Sequence, residues 1–370
     1  MRIYELLGNH APTTTPVMHS RYPLAVGIEV ELESVRGPEL YALNGWSVHN
    51  DMSLRDGMEF VFAGPGQGDT VAQRIDTLST ALEEFQVNPR TSTHVHVDMS
   101  WSTTEHLRTL FFFMYAFDEV LFELFDPGRK WCGYCCTLTE MEPDKLQAVI
   151  TSIADPERCT LLNVLHRQRN QDRYYGFNIQ ALIRHSTVEF RHFPGGILGD
   201  RLGEVVRVVT NIVLNTTDVS LDALHTAAES AKGTEDLLRR VLGDSFSDEI
   251  MRYSDMFRDT LSDGLALLPD SDATPTRDNS LVFYNPIVAK WYQRARGIPN
   301  ENMEQFDSTF KLMACVTFAE LDNLAVTMGG QEPGRRGMEL DACYSTPTSS
   351  LGWDSDTYDH DEEDEDEEFN

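Results

Sequence analysis

The stretch Gly27-Ile28-Glu29-Val30-Glu31-Leu32-Glu33 alternates apolar and acidic residues without a break. Successive side chains of a β-strand point to opposite faces. Ile28, Val30 and Leu32 therefore go to one side, and Glu29, Glu31 and Glu33 to the other. A row of like charges repels itself, and burying it unpaired is costly. A half-exposed strand with a wet acidic face satisfies the pattern. So does a strand whose carboxylates are neutralised by a hard divalent cation such as Mg²⁺, which takes oxygen ligands.

Three more strands of this kind follow. Asn50 to Gly57 is rich in turn formers and leads into Met58-Glu59-Phe60-Val61-Phe62, where one acid interrupts an apolar strand. Thr93-His94-Val95-His96-Val97-Asp98 puts His94, His96 and Asp98 on one face. Two imidazoles and a carboxylate on one strand face form a plausible ligand set, because both groups coordinate metals. Tyr175 to Ile183 and Thr187 to Phe193 read as a hairpin. On its second arm Thr187, Glu189, Arg191 and Phe193 share a face, with Val188, Phe190 and His192 opposite. Glu189 and Arg191 thus point the same way, as a salt bridge or as a carboxylate for a metal beside a guanidinium for phosphate.

Helical spacing marks 69–86, a segment from about Ser102 to Phe125, 143–154, and 200–215, 217–231, 234–243, 247–263 and 302–328. The aromatics Phe111, Phe112, Phe113, Tyr115 and Phe117 read as core. Residues 1–23 read as a loop or short edge segment. Cys132-Gly133-Tyr134-Cys135-Cys136 lacks a matching second pair for structural zinc, so plain thiols are expected. Three arginines, Arg167, Arg169 and Arg173, read as either a solvated loop or an anion pocket.

The 370 residues carry a net charge of −30. That sign disfavours duplex nucleic acid as a partner, since phosphates need Lys and Arg. Part of the excess is an unbroken acidic run from Asp361 to Glu368, so 329–370 is expected to be a disordered tail. No apolar run is long enough to span a bilayer. A soluble cytoplasmic protein with reduced thiols is the expectation, with a motif-bearing core at 24–200 and a helical part at 200–328 in one domain, 1–328.

Gly-Ile-Glu-Val-Glu at 27–31, Asp-x-Ser-Leu at 51–54 with Gly-x-Glu at 57–59, Thr-His-Val-His-Val-Asp at 93–98 and Thr-Val-Glu-Phe-Arg at 187–191 stand in one order. Together they resemble the amidoligase branch of the carboxylate–amine ligases, related to glutamine synthetase and γ-glutamylcysteine ligase. The resemblance covers about residues 24 to 200. It implies an α+β fold, with a mainly antiparallel sheet curved into a saddle or funnel and helices packed outside. It implies ATP and two or three Mg²⁺ or Mn²⁺ ions as cofactors, held by Glu29, Glu31, Asp51, Glu59, His96 and Glu189. Arg191 would hold the transferred phosphate and act with Glu189 in catalysis, and Arg173, Tyr174 and Asn178 would line the nucleotide pocket. His94 is left open, because one histidine of such a pair suffices. The implied activity is amide-bond formation through an acyl phosphate, between a small-molecule or peptide carboxylate and an amine. A metal-dependent amidase or hydrolase on the same residues, and a non-catalytic binding protein keeping the fold, are the other readings. The oligomeric state is not legible.

Overall fold

A computed structural model describes residues 2–7, 14–35, 38–51, 54–82, 85–131, 135–141, 146, 149–150, 152–153, 174–268, 281–283, 293, 298–313 and 315–329. The expected acidic tail, Arg167, Arg169, Arg173 and most of the expected helix at 143–154 lie outside them.

The acidic alternation becomes strand β1 (Val26–Glu33). It lies inside a six-stranded sheet with β2 (Trp46–Asp51), β3 (Gly57–Phe62), β4 (Ser92–Asp98), β5 (Phe177–Asn178) and β6 (Thr187–Pro194). The strand order is β2-β3-β1-β4-β6-β5 and every pairing is antiparallel. The fold is α+β, as the resemblance implies.

Period-2 patterning decides what each face of the sheet meets. Ile28, Val30, Leu32, Phe60, Val95, Val97, Val188 and Phe190 are fully buried on one face. Three helices cover this side: α2 (Asp69–Ala81), α3 (Thr104–Phe125) and, after a short α4 (Ala181–His185), α5 (Gly199–Asn215). Helix α3 packs on β6, and α5 packs on β4 and α2. Residues Leu110 to Phe117 of α3 are buried in an unbroken run, because the helix has sheet on one side and helix on the other. A helix apolar all round must be enclosed in this way. Its outer side meets α9 (Ser254–Ala266), with Phe257 stacked among Phe113 and Phe117.

The helical part continues as α6 (Leu221–Glu229), α7 (Ala231–Leu242), α8 (Asp248–Met251) and α9 (Ser254–Ala266). Ser220, Ser230 and Ser247 cap α6, α7 and α8 by accepting a hydrogen bond from an amide in the first turn. Two more helices, α10 (Asn300–Met313) and α11 (Phe318–Thr327), form a small separate core around Phe306, Phe310 and Leu321.

Four local expectations change. Ile3–Leu7 forms a short helix, α1, where a loop or edge segment was read. The expected helix at 302–328 is split by a strand at Cys315–Thr317 that pairs with Leu281–Phe283; β-branched Val316 and Thr317 suit a strand better than a helix interior. The first hairpin arm is only two residues long. Asn178 Oδ1 accepts from Gln180 N at 2.9 Å, turning the chain into α4. Finally, a bulge in β6 breaks the alternation: Thr93 pairs with Phe193 but Val95 with Phe190. Phe193 moves to the helical side, ring to ring with Phe125 of α3, instead of sharing a face with Arg191.

Candidate functional site

The second face of the sheet collects the polar members of each alternation. Across the strands the register aligns His49 with Glu59 and Glu59 with Glu31. One step along, Glu29 stands opposite His94. One step further, His96 stands opposite Glu189, and Glu189 opposite Asn178. Four strand motifs far apart in sequence thus deliver one contiguous polar patch. Glu31, Glu59, Glu29, His96, Glu189, Asn178 and Arg191 meet there. Asp51 stands in the neighbouring row, opposite Gly57, which faces Glu33.

At the centre, ligand atoms of Glu29, His96 and Glu189 all lie within 4.8 Å of one another. His96 Nε2 is 3.3 Å from Glu29 Oε1 and 3.9 Å from Glu189 Oε1. It is buried with no hydrogen-bond partner among the described residues, while Nδ1 lies 3.1 Å from Thr187 Oγ1. His94 Nδ1 faces the same two acids, 3.1 Å from Glu29 Oε2 and 3.5 Å from Glu189 Oε1. Arg191 Nη1 donates to Glu189 Oε1 at 2.6 Å, and Asn178 Nδ2 to Glu189 Oε2 at 2.7 Å. The ring of Tyr174 lies 6.0 Å from the Arg191 guanidinium. The side chain of His94 is 3% exposed and that of Glu29 27%, so the histidine forms the floor and Glu29 the rim.

Electrostatics show a patch short of positive charge. Burial pushes the Glu59 carboxyl up, and the charges of Glu29, Glu31 and Asp51 push it further, to about 7. Burial would raise Glu29 and Glu189 too. The His94 hydrogen bond and the charges of His94 and His96 outweigh it at Glu29 and hold its carboxyl far below the usual range. Arg191, His94 and His96 do the same for Glu189. Burial opposes the charged form of His96, but Glu29 and Glu189 overcome it and raise its pKa. A proton on His96 here does the work that a cation does in a metal site. An unpartnered buried imidazole nitrogen aimed at two carboxylates fits a divalent ion, and the oxygen-rich set with one or two nitrogens suits Mg²⁺ or Mn²⁺.

Sequence reasoning missed several participants. Glu33 lies on the acidic side of the alternation but is spent elsewhere: Arg90 takes it at 2.7 Å, and Asn88 Nδ2 and Arg55 N also donate to it. These residues line an open pocket of about 800 Å³ at the end of the acidic patch. His185, at the end of α4, sits edge-on to His96 with ring centroids 5.7 Å apart. Ser92 joins Glu31 to His94. Arg129 is buried and donates to the backbone carbonyls of Thr91 and Arg191. None of these has a sequence signal of its own, because each acts through a turn or a register. Cys135 Sγ donates to the backbone carbonyl of Arg191, and Cys136 Sγ to that of Tyr174.

The antiparallel sheet thus presents an acid- and histidine-lined face beside a half-buried arginine, an arrangement with ligand atoms for a cation next to a donor for an anion. Residues 65–206 match the model of the family described as "Putative amidoligase enzyme". Over that segment the chain is similar to this family, the one whose resemblance the four motifs carry. The match includes β4 and β6 and begins after β3. No curated protein matches the chain.

Proposed function

We propose that this protein is an ATP-dependent ligase that joins a carboxylate to an amine. The observation that carries the reading is the convergence of Glu29, His96 and Glu189 from three strands, with Glu31 and Glu59 beside them and Arg191 on Glu189. Glu29, His96 and Glu189, with His94 facing the same acids, would hold one divalent ion. Glu31, Glu59 and Asp51 would hold a second. Such ions supply charge neutralisation for the β- and γ-phosphates of ATP.

The chain's own groups account for the rest. Arg191 is held by Glu189, and its Nε is buried without a partner. A fixed guanidinium with a spare N–H suits a phosphoryl oxygen. The substrate carboxylate oxygen attacks the γ-phosphorus and ADP leaves, giving an acyl phosphate. The amine nitrogen then attacks the acyl carbon, forming the C–N bond. Phosphate departs, and the ammonium proton passes to solvent.

Incubation with ATP, Mg²⁺ and candidate acid–amine pairs, with ADP and phosphate measured, tests the reading. Release that requires all components supports it. The Glu29→Ala plus Glu31→Ala double variant should lose metal-dependent nucleotide binding. Turnover of an amide with metal but no nucleotide would instead establish a hydrolase.

A further inference from the structure

The geometry assigns a positioning role to Ser92: its hydroxyl decides which ring nitrogen His94 presents to the metal centre. This inference rests on the metal-centre reading above. Ser92 and His94 are each 3% exposed, so bulk water does not compete for their bonds. Ser92 Oγ touches two groups, the carboxylate of Glu31 and, at 2.7 Å, Nε2 of His94.

A hydroxyl has one proton to give, and Ser92 Oγ gives it to Glu31 Oε2. The bond to Glu31 therefore uses the serine proton. The serine oxygen must then accept, so Nε2 of His94 carries the hydrogen. In the neutral ring this leaves Nδ1 bare. Nδ1 is the atom that stands 3.1 Å from Glu29 Oε2 and 3.5 Å from Glu189 Oε1. A lone pair facing two carboxylate oxygens is repelled by both unless a proton or a metal cation sits among them. The chain Glu31–Ser92–His94 thus aims a donor nitrogen at the ion held by Glu29 and Glu189.

His96 shows the same plan, with Thr187 at Nδ1 and Nε2 turned to the acids. Among the described residues Thr187 makes no hydrogen bond to a carboxylate, whereas Glu31 takes the proton of Ser92. Carboxylates that orient a metal-binding imidazole through its far N–H are a general feature of metal sites, and losing them weakens binding about 10–100-fold. Here a serine is interposed, and it also joins the two halves of the acidic patch.

The test is a double-mutant cycle on Mn²⁺ affinity, read by titration calorimetry and by the electron spin-echo modulation from nitrogen bound to Mn²⁺. The full-length chain is used, with folding checked by thermal melting. Ser92→Ala should weaken Mn²⁺ binding about 10–100-fold and change the ¹⁴N modulation. In a His94→Ala background the same substitution should change affinity less than about twofold, because a residue acting through His94 has nothing left to orient. Equal losses in both backgrounds, or wild-type affinity and modulation in Ser92→Ala, would overturn the role of Ser92 while leaving the metal centre standing. A wild-type protein that binds no Mn²⁺ would overturn both.

Discussion

Glu59 is the carboxylate that the metal-free site tolerates least. Three acids face it, and its pKa rises to about 7. Glu59→Gln should raise the melting temperature in EDTA at pH 8 by roughly 2–4 °C, the equivalent of about 1 kcal/mol. The same variant should lose much of the further rise that Mg²⁺ or Mn²⁺ gives the wild type. Differential scanning fluorimetry with and without metal measures both. A second residue-scale effect lies outside the site. His106 is buried between Ser102 and Thr216, and burial lowers its pKa from 6.5 to about 4. Its native state binds the proton less tightly than the unfolded state. Stability from this group is complete above pH 6.5 and is lost as pH falls toward 4, by about 3 kcal/mol. Urea unfolding of wild type and His106→Gln across pH 4–7 should show the wild type losing that much relative to the variant. At this scale alternation assigned Glu29, Glu31, Glu59, His96 and Glu189 each to the polar face of its own strand, and only the family resemblance grouped them into one set. Neither could place Ser92, Arg90 or His185, whose partners are set by register and by turns.

At the scale of elements, the site depends on what lies beneath the sheet. The bulge in β6 leaves His192 and Phe193 facing the helices. His192 Nε2 is 2.6 Å from Asp118 Oδ1, with both side chains fully buried, and Asp118 Oδ2 accepts from Leu138 N at 2.8 Å. Gly176 passes directly over this pair. A Cβ there would stand 2.7 Å from His192 Nε2 and 2.8 Å from Asp118 Oδ1. Gly176→Ala should therefore cost about 1–3 kcal/mol by overpacking. Gly176 O also accepts from Arg191 N at 2.7 Å, so the variant should reduce ligase turnover beyond what its lower stability explains. Chemical denaturation and turnover at a temperature well below melting separate the two effects. Strand identity was legible from alternation. The bulge was not, because one inserted residue leaves no mark in a pattern already mixing aromatic and charged residues. The two-residue β5 escaped for a related reason: Asn178 ends the strand with its own side chain, which composition does not show.

Across the whole molecule, the sheet is a partition. One face carries the packed core that extends through α3 into α9, and the other carries uncompensated charge. A net charge of −30 adds a general repulsion to the local one. Without divalent ions, raising NaCl from 20 to 300 mM should raise the melting temperature by screening. With saturating Mg²⁺ the salt dependence should be smaller, because the closest repulsions are already neutralised. The α+β class was readable because four alternating strands and long periodic helices are the strongest signals a sequence carries. The split of 302–328 into helix, strand and helix was not, since the competing pairing at Leu281–Phe283 is remote in the chain.

The extra residue in β6 acts as a phase shifter. Before it, the strand's outward side chains answer to chemistry; after it, two neighbours in succession answer to packing. Natural variation can therefore retune the reactive half, around Glu189 and Arg191, without passing strain to the aromatic anchor at Phe193, and the reverse holds as well. A lineage that lost this single insertion would have to surrender either the guanidinium's aim or the anchor's seat.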